Sequence, residues 1–130
     1  MLLKSKLANR FIYFSYLFLI MEIKLTSEQR IDLLLSTCNG EINGQSKFNA
    51  LNNNNSFMMF YQIFTDQNHS IPYNHLIDQL GYKTIKSIVD LHGCNLIYAS
   101  DKEATLTEEG YNLGGKLEKL IKEKQIILTS

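Results

Sequence analysis

The stretch from Pro72 to Gly93 constrains the fold most strongly, because it contains two short amphipathic segments separated by Gly81. Pro72 stands where the first position of a helix would be, and a helix accepts proline there because that N–H has no partner within the helix. Apolar residues recur at helical spacing on both sides of the glycine, and each set predicts an inward face. The residues predicted to face inward are Leu76, Ile77 and Leu80 in the first segment and Ile85, Ile88, Val89 and His92 in the second. The pattern therefore predicts two helices that meet at a steep angle, as in a helix-turn-helix.

The second of these helices is predicted to turn a polar side outward, toward the position that a major groove would occupy. The residues predicted to face outward are Tyr82, Lys83, Thr84, Lys86, Ser87 and Asp90. Lysine and threonine can hydrogen-bond to base edges or hold phosphates, and tyrosine can donate to a phosphate. The predicted DNA contacts on this helix are Tyr82, Lys83, Thr84, Lys86 and Ser87.

A short β-hairpin is predicted directly after these helices. Its strands are the β-prone runs 95–98 and 104–106, joined by a polar tip at 99–103. The tip would reach toward the flanking phosphates or the minor groove, so Lys102 is a further predicted DNA contact. Thr107 then caps a last helix, which has two acidic residues in its first turn.

Three more helices are predicted before the helix-turn-helix. The first helix is capped by Thr26 or Ser27 and ends at Asn39-Gly40. A short helix at 45–51 follows, and then a polar loop at 52–55. The third helix, at 57–65, is capped by Ser56. The last of these helices carries Phe57, Phe60, Tyr61 and Phe64 at helical spacing. Aromatic side chains bury large areas, so this stripe is predicted to belong to the core.

This order of elements predicts a mostly α-helical α+β fold with a small β-hairpin, a winged helix-turn-helix. The segments PYNHLIDQLGYKTIKSIVDLHGCNLIY and ATLTEEGYNL resemble the MarR-type winged-helix regulators, in which a comparable LTEEG segment joins the wing to the next helix. The resemblance covers parts of about residues 57–121. It implies a DNA-binding transcriptional regulator, commonly a homodimer, and it carries no catalytic residue. We also predict a cytoplasmic location.

The charge of the chain limits how such a module would bind DNA. The 13 basic and 13 acidic residues give a net charge of zero, and three lysines stand against four acids between Ser70 and Leu106. Because phosphate neutralisation supplies most of the non-specific affinity, any DNA binding must depend on a local surface. The neutral outward face and the aromatic helix leave an alternative open, a winged helix that binds protein and not DNA.

The sequence contains no recognised pattern of catalytic or metal-binding residues. A P-loop, a nucleophile elbow and a dinucleotide fingerprint are all missing, and the three histidines lack the spacing of zinc ligands. Cys38 and Cys94 are predicted to be reduced, partly buried thiols, with a disulfide or a nucleophile as the alternative. We therefore predict no enzyme activity, no cofactor and no metal.

The chain is predicted to divide into an apolar extension at 1–20, which need not belong to the native product, and a single winged-helix domain at 21–130. Three basic residues precede an apolar run at 11–21 that is about eleven residues long, short of the roughly twenty that span a bilayer. No small-residue cleavage site follows the run. Three explanations stay open: translation from a start upstream of a true start at Met21, an amphiphilic helix that packs on the domain or on a partner, and a membrane anchor, which the length disfavours.

The C-terminal helix has two interpretations. The alternating charges from Lys116 to Lys124 are typical of a solvated face with i,i+4 pairs such as Glu118–Lys122. Alternatively, its apolar residues meet a second copy of the chain across a two-fold axis. The residues at that contact would be Leu117, Leu120 and Ile121. We accordingly predict a homodimer formed through the terminal helices.

Overall fold

The fold consists of helices arranged around a small antiparallel sheet. The computed structural model describes residues 25–124. Its elements are α1 (Ser27–Cys38), α2 (Gly44–Leu51), α3 (Asn54–Thr65), β1 (Ser70–Pro72), α4 (Tyr73–Leu80), α5 (Thr84–Gly93), β2 (Ile97–Ala99), β3 (Glu103–Leu106) and α6 (Glu108–Glu123). The mostly helical α+β class is therefore confirmed. The extension predicted at 1–20 lies outside the described residues.

The sheet has three antiparallel strands in the order β1-β3-β2. β2 and β3 form the hairpin that the sequence predicts. β1 was not predicted; Ser70 pairs with Thr105 and their hydroxyl oxygens lie 2.9 Å apart, while Pro72 pairs with Glu103. Pro72 therefore ends an edge strand, where proline is tolerated, and α4 begins one residue later than predicted.

Side chains that bind backbone N–H groups mark where the helices begin. Thr26 and Gln29 form a capping box at the start of α1, and Thr107 accepts a hydrogen bond from Gly110 N at the start of α6. For α3 the prediction is wrong. Asn53 caps this helix by accepting from Ser56 N at 2.8 Å, so the asparagine run supplies the cap and first turn and does not form a separate loop.

The core centres on α3, whose predicted aromatic stripe is buried except for Phe64, which is half-buried. α6 packs against α1 and α3 and buries Leu117 and Ile121 within the same chain. Their predicted contact with a second copy is therefore wrong, because these two side chains are already enclosed by their own core. The exposed side of α6 carries the predicted ion pair, with Lys122 Nζ 3.4 Å from Glu118 Oε1.

Candidate nucleic-acid interface

α4 and α5 are joined at Gly81, as the sequence predicts. The φ angle of Gly81 is 82°, a conformation that glycine adopts without strain. Its N–H donates to Ile77 O at 2.7 Å and its carbonyl accepts from Thr84 N at 3.1 Å. One residue therefore closes α4 and leads directly into α5.

The inward side of α5 carries two residues that were predicted to face outward. Thr84 is fully buried and Ser87 is 4% exposed. The Ser87 hydroxyl lies 2.8 Å from Ser56 Oγ and accepts from Asn55 Nδ2 at 3.0 Å. The outward placement of Thr84 and Ser87 is therefore wrong. Ser87 is small enough for α5 to approach α3 closely, and its hydroxyl finds its hydrogen-bond partners there. The Thr84 hydroxyl lies 3.4 Å from Leu76 O on α4.

The outward side of α5 is correspondingly more apolar than predicted. Tyr82 is 83% exposed, Ile85 54% and Val89 61%, and His92 is also exposed. The inward placement predicted for Ile85, Val89 and His92 is wrong, because the helix is rotated by about one residue, roughly 100°. The alternative stripe has the same helical spacing and points to the core. It consists of Thr84, Ser87, Ile88 and Leu91.

The cations of this region are exposed but balanced by acids. Lys83 forms no ion pair within residues 25–124. Lys86 Nζ lies 2.9 Å from Asp90 Oδ2 on the same helix. Lys102 stands at the hairpin tip with an acidic residue on each side. The face formed by α5 and the hairpin therefore has almost no net charge.

The hairpin is attached to α5 through β2 and to α4 through its tip. The rings of His92 and Tyr98 lie 5.9 Å apart, and Ala99 N donates to His92 Nδ1 at 3.2 Å. At the tip, Tyr73 donates from its N–H to Lys102 O at 3.0 Å and from its hydroxyl to Ser100 O. Burial and the nearby Asp101 carboxylate raise the pKa of Tyr73, so the hydroxyl stays protonated and able to donate. Exposed His92 and Tyr98 therefore extend the outward side of α5 onto the hairpin.

A cleft of about 340 Å³ lies between α1 and α2. Cys38 contributes to its wall, and burial followed by the charge of Glu41 raises the pKa of this thiol to about 11. Burial also raises the pKa of Cys94, and both cysteines are free. Thiols in this state are poor nucleophiles at neutral pH.

Among residues 25–124 there is no cluster of three or more His, Cys, Asp or Glu side chains able to hold a metal ion.

Comparison of the chain with protein-family models, with curated proteins and with solved structures finds no match in any of the three. Within the described part of the chain, no helix combines the length and apolar character needed to cross a bilayer.

Proposed function

We propose that this chain is a winged helix-turn-helix that binds double-stranded DNA through α5, as a cytoplasmic transcriptional regulator that acts as a homodimer. One observation carries the proposal. The outward side of α5 is uncovered within the described residues, and it continues through His92 and Tyr98 onto the β2–β3 hairpin. The succession α3-β1-α4-α5-β2-β3, with two helices joined at Gly81 and a hairpin after them, supports the winged-helix assignment.

In this arrangement the beginning of α5 enters the major groove, where Tyr82, Lys83 and Lys86 contact phosphates and base edges. Lys102 at the hairpin tip contacts a flanking phosphate. Thr84 and Ser87 are not among the contacts that we propose, because their side chains are buried between α5 and its neighbours. Ser87 contacts α3 and Thr84 contacts α4, and these contacts fix the rotation of α5, which decides the residues that face the groove.

The balanced charge of this face predicts a small electrostatic contribution. With three lysines per protomer, the slope of log K against log salt should be about −3 for each protomer at most. Asp90 competes with DNA for Lys86 and reduces the slope further. We therefore expect binding that depends on contacts within the groove as well as on phosphate neutralisation.

A titration of the full chain against labelled genomic duplex fragments at low salt tests the proposal. We expect a salt-sensitive shift that the double variant Lys83→Glu, Lys86→Glu abolishes without loss of helical circular dichroism. The matched control is Lys119→Glu with Lys122→Glu, which makes the same charge change on exposed lysines of α6. The proposal fails if no shift is seen at micromolar protein, or if the two double variants bind equally.

A second candidate function is a winged helix that binds another protein, and the exposure of Ile85 and Val89 on α5 favours it. This candidate predicts a stable partner that co-purifies with the chain while DNA binding is absent.

Dimerisation is tested separately by sedimentation at decreasing concentration. Because Leu117 and Ile121 are buried within the protomer, a dimer would use other parts of the terminal segments.

A further inference from the structure

Ile85 and Val89 form an apolar pair on the outward side of α5. They lie four residues apart, so they stand one above the other on the helix, and about half or more of each is exposed. Tyr82 lies in the turn just before α5 and is, among residues 25–124, the most exposed large apolar residue. Lys86 borders this group. The surface therefore combines a cation for a phosphate with methyl groups for an apolar partner.

The bases of a duplex offer few apolar groups in the major groove. Thymine presents a C5-methyl there, and apolar side chains contact it, whereas guanine is read by arginine or lysine and adenine by asparagine or glutamine. α5 contains no arginine, asparagine or glutamine between Thr84 and Gly93. Cytosine is read by aspartate or glutamate, but Asp90 of α5 is paired with Lys86, the lysine of the same helix. The chemistry of this face therefore suits thymine better than the other three bases.

We infer that α5 selects its DNA site through the C5-methyl groups of thymine, with Ile85 and Val89 as the residues that contact them. This inference rests on the proposed DNA binding and states which base that binding selects. An aliphatic side chain and a thymine methyl exclude water from each other, and each buried methyl contributes about a fourfold gain in affinity. The positions of the thymines then supply most of the specificity, and Lys83 and Lys86 add affinity.

The experiment compares duplexes that differ only in these methyl groups. A duplex bound by the full chain is first selected from a random library, and each thymine is then replaced in turn by deoxyuridine, which lacks the methyl. We expect about a fourfold weaker affinity at each contacted position and no change elsewhere. Ile85→Ala and Val89→Ala should each bind the duplex more weakly and lose the response to deoxyuridine at the thymine that the replaced side chain contacts. Leu35→Ala, which alters an equally exposed apolar side chain on α1, should keep it.

The possible failures are distinguishable. Equal affinity for all the deoxyuridine duplexes overturns the inference and leaves DNA binding intact. The inference is also overturned if both alanine variants respond at all the same positions as the wild-type protein, because other residues then contact the methyl groups. If no duplex is bound, the proposed function itself fails. Circular dichroism of each variant shows that a lost response does not come from unfolding.

Discussion

Lys47 Nζ lies 2.6 Å from Glu109 Oε1, an ion pair between residues 62 positions apart that joins α2 to the first turn of α6. Lys47 is only 1% exposed, and its ammonium also donates to Ile42 O at 2.5 Å. Asn95 donates to the other carboxylate oxygen of Glu109. A buried ammonium is costly unless it is paired, so this contact connects α2, the segment before β2 and α6.

The ion pair predicts a specific loss of stability in acid. Hydrogen bonds from Lys47 and from Asn95 lower the pKa of Glu109 from its ordinary value of 4.5. Because the folded-state pKa is the lower one, the ionised carboxylate favours the folded state. This contribution is complete above about pH 4.5 and is lost as the pH falls through the folded-state pKa.

Glu109→Gln should therefore flatten the decline of the unfolding free energy below pH 4.5, and should also destabilise the protein at neutral pH by removing the charge opposite Lys47. Urea denaturation at several pH values measures both effects. Glu108→Gln is the control, since Glu108 is exposed and forms no ion pair within the described residues. Profiles for the Glu109 variant and the wild-type protein that run parallel below pH 4.5 would contradict the prediction.

The adjacent glycines of α6 are predicted to respond in opposite directions to alanine. A Cβ at Gly114 would overlap the ring of Phe64 on α3, whereas a Cβ at Gly115 would meet nothing within 4 Å. Gly114→Ala should lower the free energy of unfolding by about 1–3 kcal/mol through overpacking. Gly115→Ala should raise it by about 1 kcal/mol, because alanine favours the helix. Urea midpoints of the two variants measure the difference, and stabilisation by both substitutions would be incompatible with the close contact.

The rotation of α5 predicts that a substitution at Ser87 destabilises the protein more than one at Val89, whereas sequence periodicity predicts the opposite order. Ser87→Leu should destabilise the protein by about 1–3 kcal/mol, because it overfills the contact with α3 and removes the hydrogen bonds to Ser56 and Asn55. Val89→Ser alters a side chain that is 61% exposed and should change stability by less than about 0.5 kcal/mol. Thermal unfolding of the two variants tests this order. The opposite order would place Val89 in the core.

Much of the candidate site could be predicted from the sequence, with the rotation of α5 as the main exception. Tyr82, Lys83, Lys86 and Lys102 are exposed, as their predicted role requires. Two stripes on α5 share the same helical spacing, and hydrophobicity alone favours the stripe that contains Val89. The partners of the buried stripe, Asn55 and Ser56 on α3, lie more than thirty residues away, so periodicity within α5 carries no information about them.

The sequence by itself determined the features whose causes are local. Thr26 and Thr107 cap helices through N–H groups three residues away, and Gly81 turns the chain through its own φ angle. Tertiary structure alone decided the strand β1 and the burial of Lys47. β1 is three residues long and is held by β3, more than thirty residues later, and Lys47 is neutralised by a carboxylate on α6. A contact between distant segments forms only when the whole chain has packed, so short-range patterns cannot specify it.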